Sequence, residues 1–82
     1  MADLDNATIA DELERLAALL GAAGSSAYAV RAYRRAAETV RSFPLPVAPI
    51  VAAGGARSLR GVGAGIAARL EELVATGRLA EI

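Results

Sequence analysis

A chain of 82 residues with nine arginines, nine acids and neither cysteine, histidine nor lysine has room for one small domain only. That composition excludes a disulfide framework, thiol chemistry and an ordinary zinc site. It also leaves no side-chain amine from which an imine could form.

Alanine is abundant and aromatic residues are few, so helix is favoured over strand, and the core is expected to be thin. The expected fold is all-α, four short helices around one small core. Asp5 or Asn6 caps a first predicted helix over 7–20, and residues 1–6 read as a tail. Ile9, Leu13, Leu16, Ala17 and Leu20 form its apolar stripe. Gly21 and Gly24 mark its end. Ser25 and Ser26 cap a second helix over 27–42, with Val30, Tyr33, Ala37 and Val40 on one face. Arg31, Arg34, Arg35 and Arg41 lie mostly off that face. Phe43-Pro44-Leu45-Pro46 breaks the helix, because proline removes backbone donors and forces extended chain. A third helix over 47–53 turns Ile50 and Val51 inward, and Gly54-Gly55 stops it. A last helix over 64–75 buries Ile66, Leu70, Leu73 and Val74 and ends near Gly77.

The zero net charge hides an uneven distribution. Residues 1–24 carry five acids and one arginine, a net −4. Residues 25–60 carry six arginines and one glutamate, a net +5, and residues 61–82 are close to neutral at −1. A basic half of this kind is the footprint of a phosphate binder, although charge runs are also common on solvated helix faces. The apolar runs are too short and too broken by Gly and Pro to span a membrane. The acidic start lacks the basic beginning of a signal peptide, so a cytoplasmic protein is expected.

Between the third and fourth predicted helices stands Leu59-Arg60-Gly61-Val62-Gly63-Ala64-Gly65. Gly61 and Gly63 let the chain turn tightly, and positive φ is expected at Gly63 as well as close approach of a ligand. The helix that follows aims its first free N–H groups at whatever lies before the turn, which suits a phosphate. The pattern resembles a helix-hairpin-helix motif, a binder of the DNA backbone without sequence preference. A plain interhelical turn is the alternative.

The resemblance extends further. Val30-Arg31-Ala32-Tyr33-Arg34-Arg35-Ala36-Ala37 precedes a proline break and then the hairpin. Ile66-Ala67, Glu71-Glu72-Leu73 and Thr76-Gly77-Arg78-Leu79 follow it. In this order, over residues 6–82, these elements resemble the amino-terminal domain of family X DNA polymerases, the lyase-type domain of polymerase β. The resemblance implies binding at gaps, nicks or 5′-phosphate ends, with polymerase domains or other repair proteins as partners. It fits an excised domain and a free-standing module equally.

In polymerase β the corresponding domain removes 5′-deoxyribose phosphate through a Schiff base to lysine. The position matching that lysine is Arg69, whose guanidinium stays protonated and does not form imines. Gly65 stands where the relative has another lysine. The expectation is therefore a non-catalytic DNA-binding domain that requires no cofactor. A deoxyribose-phosphate lyase is one alternative. A protein-interaction module that has lost DNA binding is the other.

The candidate DNA contacts are Gly61, Val62, Gly63, Ala64 and Gly65 through the backbone, with Arg57, Arg60 and Arg69 as phosphate partners. Arg60 replaces the proline usual in such hairpins. Arg31, Arg34 and Arg35 are candidates for a 5′-phosphate pocket, or for pairs with Glu38 or the acids of the first helix. Tyr33 matches a pocket tyrosine of the relative, against half-core packing as the plainer role. Tyr28 is a candidate for stacking on an unpaired base, or a staple at the start of its helix. The resemblance also implies a monovalent cation, Na+ or K+, on the main-chain oxygens of Arg57, Leu59 and Val62.

Overall fold

Ile9, Leu13, Leu16 and Ala17 recur at helical spacing and are buried together on α1, Asn6–Ala22, in the computed structural model, which describes residues 4–77. Ala10 joins them, while Leu20 is only half-buried. Asp5 caps the helix, its carboxylate accepting the Thr8 N–H at 2.8 Å. Hydrogen bonding from the Thr8 side chain, and then from its N–H, holds the Asp5 carboxyl below the usual carboxylate range.

Asn6 has a different task from the one expected. Its side chain donates to the carbonyls of Leu45 (2.8 Å) and Phe43 (3.4 Å) and accepts the Val47 N–H at 2.9 Å. It clamps the proline link across the chain, satisfying backbone groups that have no helix to join. The reading of 1–6 as a tail is thus corrected for residues 4–6. Leu4 packs on the core and Asp5 and Asn6 are engaged, while residues 1–3 lie outside the described residues.

The second helix, α2 (Ala27–Ser42), has the expected bounds. Ser26 Oγ accepts the Ala29 N–H at 3.1 Å, and Phe43 turns out of the helix into the proline link. Its most buried stripe is Ala36, Ala37 and Val40, with Val30 and Tyr33 half-buried. The small alanines let α1 and α2 pack closely as an antiparallel pair. Arg41 bonds Asp11 and Glu14 of α1 at 3.1 and 2.9 Å across that pair. These two carboxylates hold the Arg41 guanidinium above its ordinary pKa, Glu14 having the larger effect.

The remaining elements form the second half of the molecule. Helix α3 is short, Ala48–Ala52, with Val47 fully buried before it and Val51 buried within it. Ile50 is half-buried. A 3-10 turn, Ala56–Ser58, was not expected from the sequence. It buries Ala56 and leads to Leu59, which is also buried. Helix α4, Ala64–Thr76, buries Ile66, Ala67, Leu70 and Leu73, and it ends at Gly77. Val74 is half-buried. Four α-helices around one apolar core, with no strand among the described residues, agree with the all-α reading.

Candidate nucleic-acid interface

Leu59 and Val62 face the core, at 3 % and 7 % exposure, and they pin the two ends of the turn between the 3-10 segment and α4. The Val62 N–H donates to the Leu59 carbonyl at 3.1 Å, which closes the turn. Val62 was expected among the DNA contacts. Its side chain is buried and its N–H is spent within the turn, so it anchors the hairpin instead of offering a donor.

The two glycines of the turn divide the work differently from the sequence reading. Gly61 takes the positive φ, +79°. A Cβ there would stand 3.3 Å from Cγ of Arg35. Gly63 has φ −93° and ψ −171°, extended backbone open to any residue. Nothing lies within 4 Å of the Cβ it lacks. The expected positive φ at Gly63 is therefore a correction: the chain bends at Gly61, and Gly63 is the N-cap of α4.

That cap has no side-chain hydrogen bond. Both α1 and α2 close their N-termini with an Asp or Ser side chain, whereas α4 begins bare. The first-turn N–H groups of Ala64, Gly65 and Ile66 have no intrahelical acceptor. A Cβ on Gly65 would also meet open space. Glycine inside a helix costs about 1 kcal/mol relative to alanine, and nothing in the packing requires it at this position. Two glycines without a structural need, on either side of Ala64, leave backbone donors accessible to a ligand.

Helix α2 is fastened to the hairpin at two points. Thr39 Oγ1 donates to the Arg60 carbonyl at 2.9 Å, and the Arg35 stem packs beside Gly61. Tyr28, Arg31, Arg35 and Thr39 share one stripe of α2 by helical spacing. The stripe runs from the hairpin to the start of the helix, about 16 Å at 1.5 Å per residue. Tyr28 is 75 % exposed, which leaves the face of its ring accessible. Tyr33 is half-buried against the core.

The arginines separate by partner. Arg41 belongs to α1. Arg34, seven residues before it, lies on the same side of α2, between Arg41 and Arg31 by helical spacing. Arg31, Arg34, Arg35, Arg57 and Arg60 make no ion pair among the described residues, so the expected pairing with Glu38 or with α1 falls to Arg41 alone. Arg57 and Arg60 are exposed on either side of Leu59. Arg69 lies one turn beyond Gly65 on α4, and its guanidinium is 4.0 Å from the Glu72 carboxylate. Arg78 lies outside the described residues. For a monovalent cation, the Leu59 carbonyl has one lone pair left after accepting the Val62 N–H, and the carbonyls of Arg57 and Val62 are chemically suitable donors.

A family model for the helix-hairpin-helix domain matches residues 4–79. The chain belongs to the helix-hairpin-helix family. Neither the curated proteins nor the solved structures include a match to it. Helix-hairpin-helix domains typically bind nucleic acid. No helix among the described residues is long and apolar enough to cross a membrane.

Proposed function

We propose that this helix-hairpin-helix domain binds the DNA backbone without sequence preference, at gaps, nicks or 5′-phosphate ends. In this reading it serves as a module of the family X polymerase amino-terminal type, presenting DNA to a polymerase or repair partner. The observation that carries it is the uncapped start of α4, with open space over Gly63 and Gly65 and arginines without ion pairs nearby. A phosphate oxygen seated there receives backbone N–H groups and the positive end of the α4 dipole. Arg57 neutralises an adjacent phosphate. The α2 stripe continues the track, Arg31 and Arg35 on the backbone and Tyr28 stacked on an unpaired base.

Few phosphates are neutralised by so small a surface. Binding is expected to be weak and to fall with salt at a log–log slope of about −2 to −4, for roughly two to four phosphates. Gapped DNA bearing a 5′-phosphate is expected to bind more tightly than blunt duplex. Fluorescence anisotropy across a salt series measures both. A slope near zero, or equal affinity for gapped and blunt DNA, contradicts the reading. Absence of binding at low ionic strength transfers it to a protein-interaction module, a role consistent with the acids of α1 that already hold Arg41.

The same reading is non-catalytic. An imine needs an amine that can lose its proton, and the chain has no lysine. Arg69 keeps positive charge at the matching position without the nucleophile. Borohydride with a 5′-deoxyribose-phosphate substrate is expected to trap no adduct at any internal residue, even where the substrate binds. Efficient trapping mapped by mass spectrometry to an internal residue would overturn it.

A further inference from the structure

A cleft of about 420 Å³ lies between the end of α2 and the hairpin. It is lined by Thr39, Ser42, Phe43, Pro44, Ser58 and Arg60. All three hydroxyls are committed as donors. Thr39 Oγ1 donates to the Arg60 carbonyl (2.9 Å), Ser42 Oγ to the Glu38 carbonyl (2.8 Å) and Ser58 Oγ to the Gly55 carbonyl (2.7 Å). What the hydroxyls offer a ligand is therefore lone pairs. Arg60, the one charged residue lining the cleft, makes no ion pair among the described residues and offers only donors. Phe43 and Pro44 supply an apolar wall.

In this arrangement only Arg60 has hydrogens to spare, and a bare anion would meet three hydroxyl oxygens. The arrangement suits a flat ligand with acceptors on one edge, donors on the next and an apolar face. Among the bases, guanine has that pattern: O6 and N7 accept from an arginine fork, and N1–H and N2–H donate to oxygens. The cleft volume falls within the usual range of small-ligand sites, roughly 300–1,000 Å³. We infer that the Thr39–Ser42–Ser58–Arg60 cleft receives one unpaired base at a DNA strand end, guanine in preference to thymine. This rests on the DNA-binding reading above and gives it a base preference next to an otherwise sequence-blind hairpin.

The test compares 5′-phosphorylated duplexes ending blunt, in one unpaired dG or in one unpaired dT, with the whole chain. The dG end is expected to bind about five- to tenfold more tightly than the other two. Ser42→Ala and Ser58→Ala each remove one acceptor, and each is expected to lower that preference while blunt-end affinity stays unchanged. Ser42 is on an exposed part of α2, so its variant keeps the test valid if loss of the Ser58–Gly55 bond disturbs the fold. Separately, dGMP at millimolar concentration is expected to shift the amide resonances of Thr39, Ser42 and Ser58, and dTMP to leave them in place. Equal affinity for dG, dT and blunt ends overturns the inference while the DNA-binding reading stands. Amide shifts with dGMP but no binding to any duplex would keep the cleft and remove that reading. If dGMP moves none of these resonances and no duplex binds, both fall.

Discussion

Gly63→Asp is expected to raise the melting temperature and remove DNA binding in the same protein. Gly63 is the N-cap of α4 in ordinary extended backbone, and a side chain there meets open space. An aspartate at that position closes the helix as Asp5 closes α1. Capping and the helix dipole together are expected to contribute about 0.5–1 kcal/mol. For a domain of this size that raises the melting temperature by roughly 3–6 °C. The same carboxylate occupies the N–H groups intended for phosphate and repels it as well. Affinity at low salt is expected to drop at least about tenfold, or 1.4 kcal/mol. Gly63→Val is the uncharged companion, expected to weaken binding through bulk alone. Thermal melts and anisotropy on the same samples decide the matter. A more stable Gly63→Asp protein with unchanged affinity would reduce the hairpin to a turn.

Gly61→Val has the opposite signature, because the loss begins with folding. Gly61 has φ +79°, where a β-branched residue is strained by about 1–2 kcal/mol. The new Cβ also presses on Cγ of Arg35 at 3.3 Å and shifts that side chain. The melting temperature is expected to fall by roughly 5–15 °C. Binding weakens further because Arg35 and the hairpin move relative to each other. A melting temperature equal to that of the unchanged chain would show that the positive φ is not required.

The contrast between these glycines shows where the sequence was legible. Both stand in the same Gly-Val-Gly string, and the local pattern does not tell which one bends the chain. The answer comes from tertiary structure: Leu59 and Val62 are both buried and the Arg60 carbonyl is tied to Thr39, so the bend falls at Gly61. The helices were easier. The bounds of α2 are written locally, in Ser26 at one end and Pro44 beyond the other, and its period follows from Ala36, Ala37 and Val40. Asn6 was misread as tail or cap because its partners, Leu45 and Val47, are about forty positions away, and no local pattern encodes them. The 3-10 turn at Ala56–Ser58 is a single turn, too short for any periodicity to register.

Charge was readable in total and not in its allocation. Six arginines between residues 25 and 60 announced a basic half. Only packing revealed that Arg41 belongs to the acids of α1, while Arg31 and Arg35 run along the stripe that meets the hairpin. Arg34 falls on the Arg41 side because helical spacing puts residues seven apart on one face.

Amide chemical-shift mapping at low ionic strength, with a short 5′-phosphorylated gapped DNA added to the isotope-labelled chain, tests the central claim most directly. The expected result is a contiguous set of shifted amides, Gly61 and Gly63 to Ile66 at the hairpin and Tyr28, Arg31 and Arg35 along α2. The amides of Asp11 and Glu14 on α1 are expected to stay in place. Shifts centred on α1, or a hairpin unmoved by saturating DNA, would contradict the assignment of the uncapped start of α4 as the phosphate site.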